Sequence, residues 1–230
     1  MPVHPPNAVE LACGCLFHRA GRGARAFILN SHTMKITIAP YNPDWPNQFQ
    51  TIKQELAGLL RDFQPAIEHF GSTSVPGLAA KPFIDILVGL ASADDFDQVV
   101  KQLVPVPGYL YYECYNPYMP ERRLFVKLKE GVPTDQFPKV FTDVATLPHE
   151  AIQDQKWAHI HIWEMDSPGW IRHIAFRDYL MAHPEVKLEY QQLKQELSQR
   201  EWRDVNEYNE GKDRFIKMVE AKAVVWYKGS

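Results

Sequence analysis

The chain has 230 residues, 45% of them hydrophobic and 23% charged, with a formal net charge of −3. That length supports one domain with a substantial core, and the slightly acidic balance supplies no global field for DNA, RNA or an anionic membrane, so any phosphate recognition must come from a local basic cluster. No run approaches the ~20 apolar residues that span a bilayer, and the N-terminal residues lack a basic start leading into an apolar stretch, so no secretory signal is expected and a cytoplasmic location is.

Residues 1–33 show no sustained period; they hold Pro2, Pro5, Pro6, Cys13, Cys15 and three glycines. They read as an extension upstream of a natural start at Met34, or else as a short element packed on the domain. Cys13, Cys15 and Cys114 offer neither CxxC spacing nor a second cysteine pair for zinc, which predicts free thiols. From Met34 the pattern changes. Lys35-Ile36-Thr37-Ile38 alternates like a strand, and Tyr41-Asn42-Pro43-Asp44-Trp45-Pro46 reads as a turn into a helix capped by Asp44. Phe49, Ile52, Leu56 and Leu59/Leu60 then recur at helical spacing to about residue 62.

Ala66 to Phe70 reads as a short strand closed by Gly71, and Phe83 to Val88 as a strand buried on both faces. A helix is expected over Ser92 to Val104, and strands over Tyr109 to Tyr112, Arg122 to Lys129 and Trp157 to Glu164. Residues 130–150, with Pro133, Pro138 and Pro148, read as a long loop or lid-like insertion. Ser167-Pro168 is an N-cap followed by an N1 proline, and three helices are expected at about 168–182, 184–200 and 204–226. The fold class is therefore α/β (α+β), with a mixed sheet flanked by helices over residues 34–166. The C-terminal helices, 167–226, are expected to pack on the same domain.

The chemistry centres on Asp85. Phe83, Asp85 and Leu87 share one strand face, and an acid inside such an apolar strand costs several kcal/mol unless it is paired or binds metal. It is either a fold-locking ion pair or a functional carboxylate. The turn Gly71-Ser72-Thr73-Ser74 is either an ordinary Ser/Thr cap or a phosphate cradle, in which glycine lets the backbone approach a ligand. Glu121, Arg123, Phe125, Lys127 and Lys129 share a strand face whose cations suit a triphosphate or simply face solvent. Arg122 begins the opposite, apolar face. Arg177 falls in the stripe Trp170-Ile174-Arg177-Met181, and Lys212 in the stripe Val205-Tyr208-Lys212-Phe215-Val219. A cation there pairs with an acid, Asp178 or Asp85 being candidates, or faces an internal anionic ligand.

Gly71-Ser72, twelve intervening residues and Asp85 in an apolar strand resemble the DNA polymerase beta-like nucleotidyltransferase superfamily. The longer string from Glu68 through Gly71-Ser72-Thr73-Ser74-Val75-Pro76-Gly77 and Lys81-Pro82-Phe83-Ile84-Asp85 to Leu87 is similar to the signature of the GrpB family, also called UPF0157. Tyr41 to Pro46, Arg122 to Lys127, His159-Ile160-His161-Ile162 and His173 to Leu180 resemble further blocks of that family, in order, and the likeness covers essentially residues 34 to 220.

The resemblance implies a nucleotidyltransferase-like fold and metal-assisted transfer of a nucleotidyl group from an NTP to an unidentified acceptor. Asp85, Ser72 and Lys81 would be catalytic. Gly71, Ser72, Thr73, Arg123, Lys127, Arg177 and Lys212 would bind phosphates. The implied ligand is a nucleotide or other phosphorylated small molecule, with magnesium or manganese as cofactor. One departure matters: the superfamily's second acid, two residues after the first, is here Leu87, which removes one anionic ligand from a two-magnesium site. His159 and His161 project from one strand face and are either its replacement or core histidines. With Asp85 they suit zinc, manganese or iron better than magnesium. Two alternatives follow: a non-catalytic nucleotide- or CoA-like ligand module, since a similar domain is fused to some dephospho-CoA kinases, or a metal-dependent hydrolase.

Overall fold

The computed structural model describes residues 33–148 and 151–229; the expectations for the N-terminal extension and for Cys13 and Cys15 fall on residues outside these. Five strands form one mixed sheet: β1 (Ala66–Phe70), β2 (Ile84–Leu90), β3 (Tyr109–Tyr111), β4 (Arg122–Leu128) and β5 (Lys156–Glu164). Their order is β1-β2-β5-β4-β3. Only β2 and β5 run parallel; the other pairs are antiparallel. The central strand, β5, thus carries the His159/His161 pair, and its parallel neighbour β2 carries Asp85.

Helices α1 (Trp45–Leu59) and α2 (Phe96–Leu103) cover one face of the sheet. The stripe of Trp45, Phe49, Ile52 and Leu56 packs there on Ile84, Ile86 and Val88 of β2 and on Ile160 and Ile162 of β5. This is the main hydrophobic core, and it uses the residues of β2 and β5 that alternate with Asp85 and the histidines. Asp44 precedes α1 but accepts from the Asn47 and Gln48 side chains instead of capping the backbone.

The other face is closed by the C-terminal helices α3 (Pro168–Ala182), α4 (Pro184–Ser198) and α5 (Val205–Lys228). Ser167 caps α3 by accepting from the Trp170 amide, and Asp204 caps α5 by accepting from Asn206 and Glu207. These caps fix the helix starts, so the sequence-derived bounds fall within about two residues of the observed ones. The long insertion is packed on the sheet: its Phe141 and Leu147, with Ile152 just beyond it, bury against Leu124, Val126 and Leu128.

Two expectations change. Residues 35–38 keep their alternation, with Ile36 buried, but join no ladder; isolated bridges tie Met34 to Trp202 and Ala39 to Ala80. Ile36 instead packs with Leu197 and Tyr208 of the C-terminal helices. The second change lies at the start of β5. The register between β4 and β5 shifts at Lys127/Leu128, so that Leu128 pairs with Lys156 and Lys127 with Ala158. This bulge leaves Trp157 as an extra residue, packed on the α1–α2 core, and turns Lys156 onto the face of His159 and His161.

Candidate functional site

Asp85 sits on β2, beside the central strand, 8% exposed. Its register partner on β5 is His159, as Leu87 is partnered by His161. The parallel pairing of β2 and β5 therefore aims one carboxylate and two imidazoles at the same space. The His159 Nδ1 to Asp85 Oδ1 distance is 3.7 Å, and one ligand atom from each of Asp85, His159 and His161 lies within 4.8 Å of the others. Ligand distances near 2.1 Å let one ion bridge atoms up to roughly 4.2 Å apart, so the three atoms stand close to the spacing at which they could hold a metal ion.

Gly71 lies directly behind the carboxylate. Its φ of 71° and ψ of −171° form a backbone conformation open essentially to glycine alone. A Cβ there would stand 2.4 Å from Asp85 Oδ2. The side of Gly71 that a Cβ would occupy is thus taken by Asp85, while Gly71 itself still lines the cleft. Thr73 is 1% exposed and its hydroxyl meets His69 Nε2 at 3.0 Å, which ties it into the fold. Ser72 remains at the cleft, where its Oγ accepts from Lys194 Nζ at 3.0 Å; the serine's own hydrogen can then donate into the cleft.

The cleft has a volume of about 260 Å³ and is walled by Lys81, Lys156, Lys194 and Lys212 along with the Asp85 cluster. Three of these lysines are more than nine-tenths buried: Lys156 at 8%, Lys194 at 2% and Lys212 at 8% exposure. Lys81 and Lys212 both lie over the Tyr208 ring, at 4.7 and 4.8 Å from its centroid. Burial raises the Asp85 carboxyl to about 7, against the pull of Lys212, Lys81, Lys156 and Lys194, in that order. Burial also lowers Lys156 to about 8 and holds His159, His161 and His173 well below the ordinary imidazole value. Desolvation thus keeps the imidazoles neutral, the form that ligates metal or exchanges protons.

The other sequence-derived site residues separate into two groups. Lys81 and Lys212 reach the cleft with Asp85, Ser72 and the histidines. Arg123 and Lys127 do not. They alternate with the cleft-facing residues of β4 and lie on the α1–α2 side, Arg123 3.7 Å from Asp97 and Lys127 2.8 Å from Glu55. Arg177 is likewise outside the cleft, paired to Glu68 at 2.8 Å and Asp178 at 2.7 Å. The expected second-acid position, Leu87, is fully buried among Phe70, Met119, Trp163 and Ile174, away from the cleft wall.

Lys156, Lys194 and His173 were not legible as site residues. For Lys194 a signal existed: Tyr190, Lys194 and Leu197 form the buried stripe of α4, the same cation-in-a-stripe pattern that marks Lys212. Lys156 had none, since the bulge that reorients it breaks the strand's regular alternation.

The model of the family described as GrpB protein matches residues 35–222. The UPF0157 protein YqkA of Bacillus subtilis is 32% identical over 195 residues, covering 85% of this chain and 49% of that protein, so the chain spans about half of YqkA's length. The UPF0157 protein BH1888 of Halalkalibacterium halodurans is 30% identical over 85% of this chain and 86% of its own. Among solved structures, the conserved protein GrpB from Enterococcus faecalis is similar at 30% identity with a TM-score of 0.63, over 83% of this chain and 99% of that one.

Proposed function

The chain belongs to the GrpB family, and from the geometry of its cleft we propose that it transfers a nucleotidyl group from a nucleoside triphosphate to an acceptor, with one divalent metal. The observation that carries this reading is the convergence of Asp85, His159 and His161 within 4.8 Å in a cleft walled by four lysines. One carboxylate and two neutral imidazoles suit a single borderline cation such as manganese or zinc better than a pair of magnesium ions. That ion, when bound, would supply Lewis-acid neutralisation of the reacting phosphate.

The chain's own residues do the remaining work. Lys81, Lys156 and Lys212 neutralise the phosphate chain, and Ser72, oriented by Lys194, donates a hydrogen bond to it. The C-terminal helices wall one side of the cleft and limit its solvent, which strengthens each of these contacts. In the transfer the acceptor forms a bond to the α-phosphorus, the bond from that phosphorus to the bridging oxygen breaks, and pyrophosphate leaves.

A second reading, a non-catalytic module for a nucleotide- or CoA-like ligand, is favoured by Leu87, whose hydrocarbon fills the place of a second acid. The two are separated by incubating the protein with α-labelled NTPs, manganese and cell extract. Transfer predicts a labelled acceptor and pyrophosphate release, both lost in Asp85→Asn. Binding of NTP by the purified chain with neither product would establish the second reading.

A further inference from the structure

Resting on the nucleotide reading above, we propose that the cleft binds a polyphosphate anion without metal, through Lys81, Lys156, Lys194, Lys212 and His161, and that a divalent cation joins only once the anion is seated. Charge gives the first reason. Four lysines, Lys81, Lys156, Lys194 and Lys212, line the cleft together with Asp85. Among the described residues the other acids of the cleft wall are Asp154 and Glu220, and Glu220 is already 3.9 Å from Arg172. A bare divalent ion entering between Asp85 and the histidines meets more positive charge than negative, in a site where burial weakens screening.

Lys156 and Lys212 point the same way. Each is 8% exposed and makes no ion pair among the described residues. A buried ammonium without a close counter-ion is unfavourable, and an anionic ligand in the cleft removes the penalty for both at once.

The hydrogen bonding of His161 is an independent reason. Arg122, 4% exposed, places its Nη1 3.4 Å from His161 Nδ1. A guanidinium only donates, so Nδ1 accepts and the ring proton resides on Nε2. A metal-bound histidine has the reverse arrangement, with its second nitrogen donating to a carboxylate or carbonyl. In the resting cleft His161 is therefore a hydrogen-bond donor suited to a phosphate oxygen, and it can join Asp85 and His159 on a cation only when that proton leaves Nε2. Phosphate oxygens then bring the negative charge and the ligands that a cation needs, as is usual where substrate phosphates complete a metal's coordination.

Isothermal calorimetry on protein stripped with EDTA and dialysed tests this in three titrations: inorganic triphosphate without metal, Mn²⁺ alone, and Mn²⁺ added to triphosphate with protein in excess. The expected result is saturable triphosphate binding at one per chain, no saturable heat from Mn²⁺ alone, and Mn²⁺ uptake in the third titration. Lys156→Met and Lys212→Met should each weaken triphosphate by about tenfold or more, while Lys222→Met, exposed on the same helix as Lys212, should leave it unchanged. Saturable Mn²⁺ binding without anion, or triphosphate binding only in the presence of Mn²⁺, overturns the inference and leaves nucleotidyl transfer standing. Failure of triphosphate to bind under either condition overturns both. The wild-type titrations decide the question even if a lysine variant does not fold.

Discussion

Gly71→Ala is the sharpest single test of how the turn and the acid are built together. Two costs add. The backbone at φ 71°, ψ −171° is strained for any residue with a Cβ, by about 1–3 kcal/mol. The new methyl would also stand 2.4 Å from Asp85 Oδ2 and 3.0 Å from Asp85 Cβ and Cγ. Asp85 is fixed in a strand buried along its whole length, so it can yield only by leaving its rotamer, at about 0.5–1.5 kcal/mol. The expected destabilisation is about 2–4 kcal/mol, measured by urea denaturation, with the melting temperature falling by roughly 2–4 °C per kcal/mol. Repeating the substitution in an Asp85→Ala background separates the parts. The backbone strain stays while the contact with the carboxylate goes, so Gly71→Ala should cost about 1 kcal/mol less there. A Gly71→Ala protein within ~0.5 kcal/mol of wild type, or an equal cost in both backgrounds, would refute this account.

Other perturbations have equally definite outcomes. Acid should destabilise the protein through its neutral histidines: His69, stacked on Phe49, is lowered to about 4 by burial and by Arg177. Because its folded value lies below the unfolded 6.5, the unfolded chain takes up the proton first. The stability present above pH 6.5 is then lost as pH falls towards 4, by about 1.4 kcal/mol per pH unit. His69→Gln should flatten that slope in denaturation series between pH 7 and 4; an unchanged slope would rule the account out. Leu87→Asp should cost about 3–5 kcal/mol in the absence of metal, and added magnesium should not restore it, because the position faces Trp163 and Ile174 instead of the cleft. Magnesium rescue in a thermal melt would contradict that placement. Arg123→Gln should leave triphosphate affinity within about twofold of wild type, since its partner is Asp97 on the far side of the sheet; a tenfold loss would place Arg123 at the ligand. Lys194→Met should weaken triphosphate binding by more than the loss of one charge, because Ser72 loses the donor that orients it; a Ser72→Ala, Lys194→Met double variant no worse than Lys194→Met alone would be the matching result.

Much of this protein was fixed by local pattern. The alternation of Ile84, Ile86 and Val88 with Asp85, and of Ile160 and Ile162 with His159 and His161, assigned which side chains enter the core and which turn towards the site. That holds because strand alternation is a property of the backbone alone. The helices were legible from their apolar spacing and from Ser167-Pro168, and the family from ordered blocks such as Glu68 to Leu87. Pairing was not legible. Which strand lies beside β2, and in which register, depends on contacts between residues some seventy positions apart, and only that pairing brings His159 opposite Asp85. The same applies to sign and side. Arg123 and Lys127 look like phosphate ligands in one dimension, but α1 and α2 supply Asp97 and Glu55 on their face of the sheet. Lys156 enters the cleft through a bulge that strand alternation does not encode, and Lys194 arrives on a helix more than a hundred residues from Ser72. The sequence by itself determined the elements, their buried faces and the acid at the centre. The tertiary structure decided the company that acid keeps, because burial and charge are summed over neighbours that only folding assembles.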